Sequence, residues 1–292
     1  MKNIPSSLLA LLVSICVLSC KVVEDNTQDD LEETGQQVGD IMASVDEIGG
    51  SSGAYAALHD SAYRTFARVQ PTFFRAPTFF TDAHAGACST DITFGGCSAK
   101  TLTRNFNGCT IGGTTLNGTV TLAYANTDNN CLIDGTNETV SRTPDFTITG
   151  RRGATLSVKK SGSLGQVLKR TGTNTFTFEN DGVVREFTTA AGQSIFKLST
   201  ITTSPIGITG NARSGRVVNG GSLKINDQLT NIACDVVPNN VTWTDGCNCA
   251  TSGNWAGTCS DGNAYALLIT GCGTASVSKG TETVDLVFDR CY

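Results

Sequence analysis

Three cysteines fall within "CNCATSGNWAGTC", the stretch from Cys247 to Cys259, and two of them are separated only by Asn248. Clustered thiols do one of three things: they hold a metal, cycle as a redox pair, or staple the chain. Zinc takes four thiolate or imidazole ligands, usually with two to four residues between paired cysteines. The Cys247–Cys249 gap is shorter, and both histidines, His59 and His84, lie in the first third of the chain. A direct Cys247–Cys249 bond would close a small strained ring, a redox device rather than a scaffold. The spacing therefore predicts that Cys247 and Cys249 bond two different partners, among Cys234, Cys259 and the final hairpin. Gly253, Gly257 and Gly262 would let this stretch turn as a loop, and Trp243 or Trp255 would pack over the bridges.

The other constellation that could do chemistry is "NTDNNCLIDGTNE", residues 126–138. It resembles an EF-hand calcium loop, which sets oxygen ligands at alternate positions because calcium takes six to eight hard donors. The resemblance places ligands at Asn126, Asp128, Asn130, the Leu132 carbonyl and Asp134. Three departures weigh against it. Cys131 stands where the loop requires glycine, Asn126 replaces the usual aspartate, and Asn137 holds the position of the bidentate glutamate, with Glu138 one place late. The competing expectation is a polar turn clamped by a Cys131 disulfide, with no cofactor at all. His59 and His84 make no recognisable metal or catalytic set. Nucleophile-elbow, P-loop, zinc-protease and dinucleotide-binding motifs are missing. The expectation is therefore a protein that is not an enzyme, with no catalytic residue assigned. Scattered carboxylates leave hydrolysis on a β scaffold as a distant alternative.

Compartment is written at the other end. "MKNIPSSLLALLVSICVLSC" has a positive Lys2, an apolar run over Leu8–Leu18 too short to span a bilayer as a helix, then Val17, Leu18, Ser19 and Cys20. This resembles the lipobox of bacterial lipoproteins of the Gram-negative type. The resemblance implies cleavage after residue 19, acyl chains on Cys20, and membrane attachment through them. Lys21, where aspartate often marks inner-membrane retention, implies an outer-membrane destination. In an exported chain the ten cysteines other than Cys16 and Cys20 should all be oxidised: Cys88, Cys97, Cys109, Cys131, Cys234, Cys247, Cys249, Cys259, Cys272 and Cys291. Cys88–Cys97, Cys109–Cys131 and Cys272–Cys291 are the simplest pairings. The last would set Ala275 against Phe288 and Val277 against Leu286.

The elements that must position these residues follow from pattern. Residues 1–19 read as a signal peptide, and 20–50 as lipidated cysteine, acidic tether and helix. Residues 51–87 read as a helix and a Phe-rich connector, and 88–292 as a β domain, divisible near 190–205. Leu31, Val38, Ile41, Val45 and Ile48 space a helix over 29–48, weakened by Gly35 and Gly39. Tyr55, Leu58, Ala62, Phe66 and Val69 space a second over 54–69, with His59 beside its stripe. "QPTFFRAPTFF" (70–80) brings four phenylalanines that belong in a core.

From Thr101 onward, short alternating Thr/Val/Ile/Phe runs and turn residues predict strands, with Asn180-Asp181-Gly182 as a hairpin turn. No helical pattern alternates with them. The fold class is mainly β: an antiparallel meander, sandwich or incomplete barrel, disulfide-stapled, with one or two short N-terminal helices. Its texture and C-terminal cysteine cluster resemble β-rich lipoproteins of Gram-negative bacteria, a likeness that brings no activity.

Charge is uneven. Residues 21–50 hold nine acidic and one basic side chain, 142–224 hold twelve basic and four acidic, and 225–292 hold seven acidic and two basic. The basic middle, with Arg151, Arg152, Lys159, Lys160, Lys169 and Arg170, could contact a polyanion such as lipopolysaccharide or DNA, or a glycan. The plainer expectation is that these side chains keep exposed strand faces soluble. The leading functional expectation is an envelope-structural, adhesive or surface-recognition role. A binding module for a glycan, lipid or polyanion is the alternative.

Overall fold

The computed structural model describes residues 31–32, 34–39, 42, 92–94, 97–111, 114–128, 130–247 and 249–288. Several expectations lie outside those residues: Cys16, Cys20 and the tether to residue 30, Ile41, Val45 and Ile48, the 54–69 helix with His59, the 70–80 segment, His84, Cys88 and Cys291. No described helix is long and apolar enough to cross a membrane.

Helical residues 31–32, 34–39 and 42 form α1. Strands follow: β1 (Ile92–Phe94), β2 (Thr101–Ile111), β3 (Thr114–Ala125), β4 (Thr139–Thr149), β5 (Thr155–Gly172), β6 (Thr175–Thr188), β7 (Ser194–Ser204) and β8 (Ile206–Thr209). Then come β9 (Val217–Asn219), β10 (Ser222–Asp227), β11 (Ala233–Thr242), β12 (Ser252–Cys259), β13 (Ala264–Gly271), β14 (Thr274–Lys279) and β15 (Glu282–Val287). All join one antiparallel sheet, ordered β1 to β7, then β10 to β15. It is a meander, and among the described residues β1 and β15 do not pair with each other. The possible division near 190–205 falls within β7, which pairs β6 on one side and β10 on the other.

Asn180-Asp181-Gly182 is not a hairpin turn; β6 runs straight through it. The residues form a bulge where β6 changes partner, pairing β8 over Thr175–Phe178 and β7 from Asp181 to Thr188. Gly182 takes φ +78°, a conformation glycine adopts without cost. A matching irregularity in β5 between Lys160 and Gly165 lets the two strands bend together. The Asp181 carboxylate ties the bulges, accepting from Ser163 N–H and Oγ, both at 2.8 Å. The β8–β9 hairpin fills one arm of this fork and β7–β10 the other; both arms rejoin at β11.

Alternation puts one face inside. Along β2, Leu102, Arg104 and Phe106 are buried; along β4, Val140, Arg142 and Ile148 are. The apolar side chains form two clusters. The larger gathers Leu31, Val38 and Met42 of α1 with residues from β2 through Phe288. The smaller holds Phe106, Leu116, Val120, Ile148, Leu156, Phe196 and Leu198. On the same strands, Arg104, Arg142, Gln166, Asn180, Arg185 and Thr200 form a buried polar layer between them. Arg142 Nη1 donates to Gln166 Oε1 at 2.9 Å, and Asn180 Nδ2 to Thr200 Oγ1 at 2.6 Å.

Gly35 and Gly39 do more than weaken α1. A Cβ on Gly35 would collide with Leu286 Cδ2, and one on Gly39 with the Phe288 ring. The helix therefore lies directly on the last strand, and Gln36 Nε2 donates to Val287 O at 2.8 Å. That bond takes up one backbone carbonyl of β15, a strand that pairs only β14 among the described residues.

The observed disulfides are Cys97–Cys131, Cys234–Cys259 and Cys247–Cys272. They overturn Cys88–Cys97, Cys109–Cys131 and Cys272–Cys291. Cys272 lies in the β13–β14 turn, and β14 and β15 pair Ala275 with Leu286 and Val277 with Val284, two residues from the expected register. Cys247 and Cys249 do take different partners, since Cys247 bonds Cys272 and Cys249 is disulfide-bonded elsewhere. The stretch is not all loop, because Ser252–Cys259 is β12, paired with both β11 and β13. Gly257 permits that, since a Cβ there would collide with Asp235 O. Trp243 and Trp255 are both buried among these cysteines.

Candidate functional site

The 126–138 loop is built around an amide. Asn126 Nδ2 donates to Asn130 O at 3.0 Å, to Asn130 Oδ1 at 2.7 Å and to Leu132 O at 2.7 Å. Two of the oxygens expected to face calcium, Asn130 Oδ1 and the Leu132 carbonyl, face this nitrogen instead. Asp128 and Asp134 are exposed. The loop's buried carboxylate is Glu138, which accepts from the N–H groups of Thr127 (3.1 Å), Asp134 (2.9 Å) and Gly135 (2.7 Å). Those donors, Gly135 foremost, hold its pKa below the ordinary carboxylate value. Cys97–Cys131 and Arg170 complete the clamp; Arg170 Nη1 donates to Ile133 O at 3.0 Å. The geometry is that of a tied polar turn. Among the described residues, no group of three or more His, Cys, Asp or Glu is placed to hold a metal ion.

The six basic residues do not converge. Arg151 and Arg152 sit in the β4–β5 turn, Lys159 and Lys160 midway along β5, and Lys169 and Arg170 near its far end. At about 3.3 Å per residue, Arg152 to Lys169 spans on the order of 50 Å. Lys159 pairs Asp145 across strands at 3.8 Å, and Lys160 Nζ donates to Ser163 O at 2.8 Å. Lys197–Glu186 and Lys224–Asp235 repeat the cross-strand pattern at 3.4 and 3.7 Å. Exposed pairs of this kind contribute ~0–1 kcal/mol each and chiefly keep the outer face soluble. Pattern reading missed the inward basic residues. Arg104, Arg142 and Arg185 are each 3–5% exposed, visible only as charges on the apolar parity of β2, β4 and β6.

An open pocket of about 170 Å³ is lined by residues of both apolar clusters. Leu198 of the smaller cluster and Leu31, Ile225 and Tyr265 of the larger contribute to its lining, together with Ile232, Thr34 and Thr230. It sits at one end of the sheet, under the start of α1, where β10, β14 and β15 bring Asp227, Lys279 and Glu282 to its lining. Tyr265 is 1% exposed, and its hydroxyl has no hydrogen-bond partner among the described residues. Leaving such a group unsatisfied costs about 1–3 kcal/mol. Burial drives its pKa upward, so the phenol stays neutral. Lys279 Nζ reaches Asp261 at 2.8 Å, an ion pair that with Asn263 N–H pulls Asp261 down to about 2. The sequence marks Tyr265 only as the polar-tipped member of an inward row with Leu267 and Ile269.

Comparison with known protein families, with curated proteins and with solved structures finds no match.

Proposed function

We propose that this chain is an outer-membrane lipoprotein, anchored through acyl chains on Cys20, whose β domain has a non-enzymatic structural, adhesive or surface-recognition role. The observation that carries the reading is the order of features from Lys2 to Cys20, followed by an acidic tether and a domain in which seven described cysteines are disulfide-bonded. Disulfides belong to chains that leave the cytoplasm, which is where a lipobox sends them. Two or more acyl chains hold a protein stably at a bilayer, at ~0.8 kcal/mol per buried methylene. The rest of the molecule fits a scaffold: a long stapled sheet with a soluble outer face. A polyanion-binding role would need residues spread on the order of 50 Å along β5 to act as one patch. Cys20→Ser tests the anchor. Expressed in a Gram-negative host, it should lose acyl labelling and leave the membrane fraction; labelling that persists in the variant sinks the assignment.

A further inference from the structure

The Cys97–Cys131 bridge differs from the other two described bridges in what lies at each end. Cys234 and Cys259 are both buried. Cys272 is exposed, but its partner Cys247 is buried within the larger apolar cluster. A thiol attacking Cys272 would have to expel the Cys247 thiolate into that core, which penalises the charge. Cys97 is exposed and Cys131 half-buried, so one sulfur can be reached and the other can leave. Two cations are fixed on the loop that carries Cys131. Lys100 Nζ donates to Asn126 O at 2.6 Å, and Arg170 Nη1 to Ile133 O at 3.0 Å. Asp128 and Asp134 in the same loop point to solvent, and the Glu138 carboxylate is taken up by backbone N–H groups. The attacked side is strained. Ser98 and Thr101 close a two-residue turn, exchanging N–H···O bonds of 3.1 and 2.9 Å. Its central residues, Ala99 and Lys100, both take positive φ, +47° and +62°. Such turns ordinarily carry Asn-Gly, because a Cβ is crowded in that conformation. Strain of this kind persists only where surrounding contacts enforce it, and Cys97 adjoins the turn. The 126–138 loop depends less on the bridge, since Asn126 and Glu138 tie it from within.

We propose that Cys97–Cys131 is a thiol–disulfide exchange site, opened in the folded protein by a dithiol that attacks Cys97. The attacking thiolate forms a mixed disulfide with Cys97 Sγ and expels Cys131 as a thiolate. The dithiol's second sulfur then displaces Cys97. The dithiol leaves as a disulfide, having given up two electrons and two protons, and both cysteines end as thiols. Opening the bridge lets the Ala99-Lys100 turn relax while the sheet and the tied loop stay folded. The proposal is independent of how the chain is anchored.

The test uses the full chain, disulfides intact, held at equilibrium in mixtures of reduced and oxidised dithiothreitol. Free thiols are trapped with N-ethylmaleimide and assigned peptide by peptide by mass spectrometry. Cys97 and Cys131 should be labelled at the lowest proportion of reductant. At that point Cys234, Cys259, Cys247 and Cys272 should still be oxidised and the far-ultraviolet circular dichroism unchanged. Brief exposure to a monothiol, mercaptoethanol, should place the mixed disulfide on Cys97 and not on Cys131. Ala99→Gly, which removes the crowded Cβ from the turn, should make the bridge about fivefold harder to reduce. The proposal is overturned if either of the other two bridges opens first, if Cys97–Cys131 opens only as the dichroism is lost, or if the adduct forms on Cys131. A bridge that Ala99→Gly leaves as easy to reduce, or easier, overturns it too. Should Ala99→Gly fail to fold, the order of opening and the position of the adduct decide.

Discussion

The Lys279–Asp261 pair ties the end of β14 to the β12–β13 turn. Asp261 also accepts from Asn263 N–H at 3.1 Å, but its strongest partner is the Lys279 ammonium at 2.8 Å. The carboxylate's pKa falls from 3.8 to about 2. A depressed carboxylate contributes stability above its unfolded value and loses it as pH falls toward the folded one. The window here is from about pH 4 down to about pH 2. Lys279→Met should raise the pKa most of the way back to 3.8, read by NMR titration of the side-chain carboxyl carbon. A value still near 2 would assign the shift to the turn's N–H instead. At this scale the sequence offers types but not partners. Asn126, Asp128 and Asn130 have the look of cation ligands. Only three-dimensional placement reveals that Asn126 turns its donor nitrogen inward, and that Glu138, one place late for calcium, is on time for three backbone N–H groups.

Glycine decides the character of several elements. In α1, glycine lowers helix propensity by about 1 kcal/mol relative to alanine, so Gly→Ala on a free helix would stabilise. Here the sheet reverses the sign. At Gly39 the new Cβ meets three atoms of the rigid Phe288 ring, whereas at Gly35 it meets mainly the movable tip of Leu286. Gly39→Ala should therefore lower stability by about 1–3 kcal/mol, the usual penalty of overpacking. Gly35→Ala should lower it far less. Urea unfolding of the two variants side by side checks the order; equal effects would mean that α1 does not rest on β15 as described. The strands with clean alternation, such as Thr139–Thr149 and Ser194–Ser204, are legible in the sequence because β-branched residues mark one face and inward residues the other. Those that resist reading carry glycine for close approach. Gly257 in β12 and Gly182 in β6 give turn signals from sequence, but each lies within a paired strand.

Among the described residues the sheet runs without a break in pairing from β1 to β15. Cluster one takes Leu102, Leu122 and Tyr124 from early strands together with Trp243, Trp255 and Phe288 near the other end. The chain should therefore unfold as one cooperative unit, although its length would allow two. The two tryptophans give a direct test, because both lie in the later half and are the only ones in the chain. Cys97–Cys131 lies in the earlier half and closes a loop of separation 34. By the chain-entropy account its removal should cost about 3–4 kcal/mol, mostly by freeing the unfolded state. Cys97 is exposed and Cys131 half-buried, so replacing both by alanine disturbs packing little. In the Cys97→Ala/Cys131→Ala double variant, the tryptophan-monitored urea midpoint should fall together with the far-ultraviolet circular dichroism midpoint, although the bridge and the tryptophans lie in opposite halves of the chain. If the halves folded independently, the tryptophan transition would stay where it was while the dichroism signal split in two. Coincident shifts would mean that a bridge beside β2 and the packing around β12 are coupled through every strand between them, as an unbroken meander with a shared core requires.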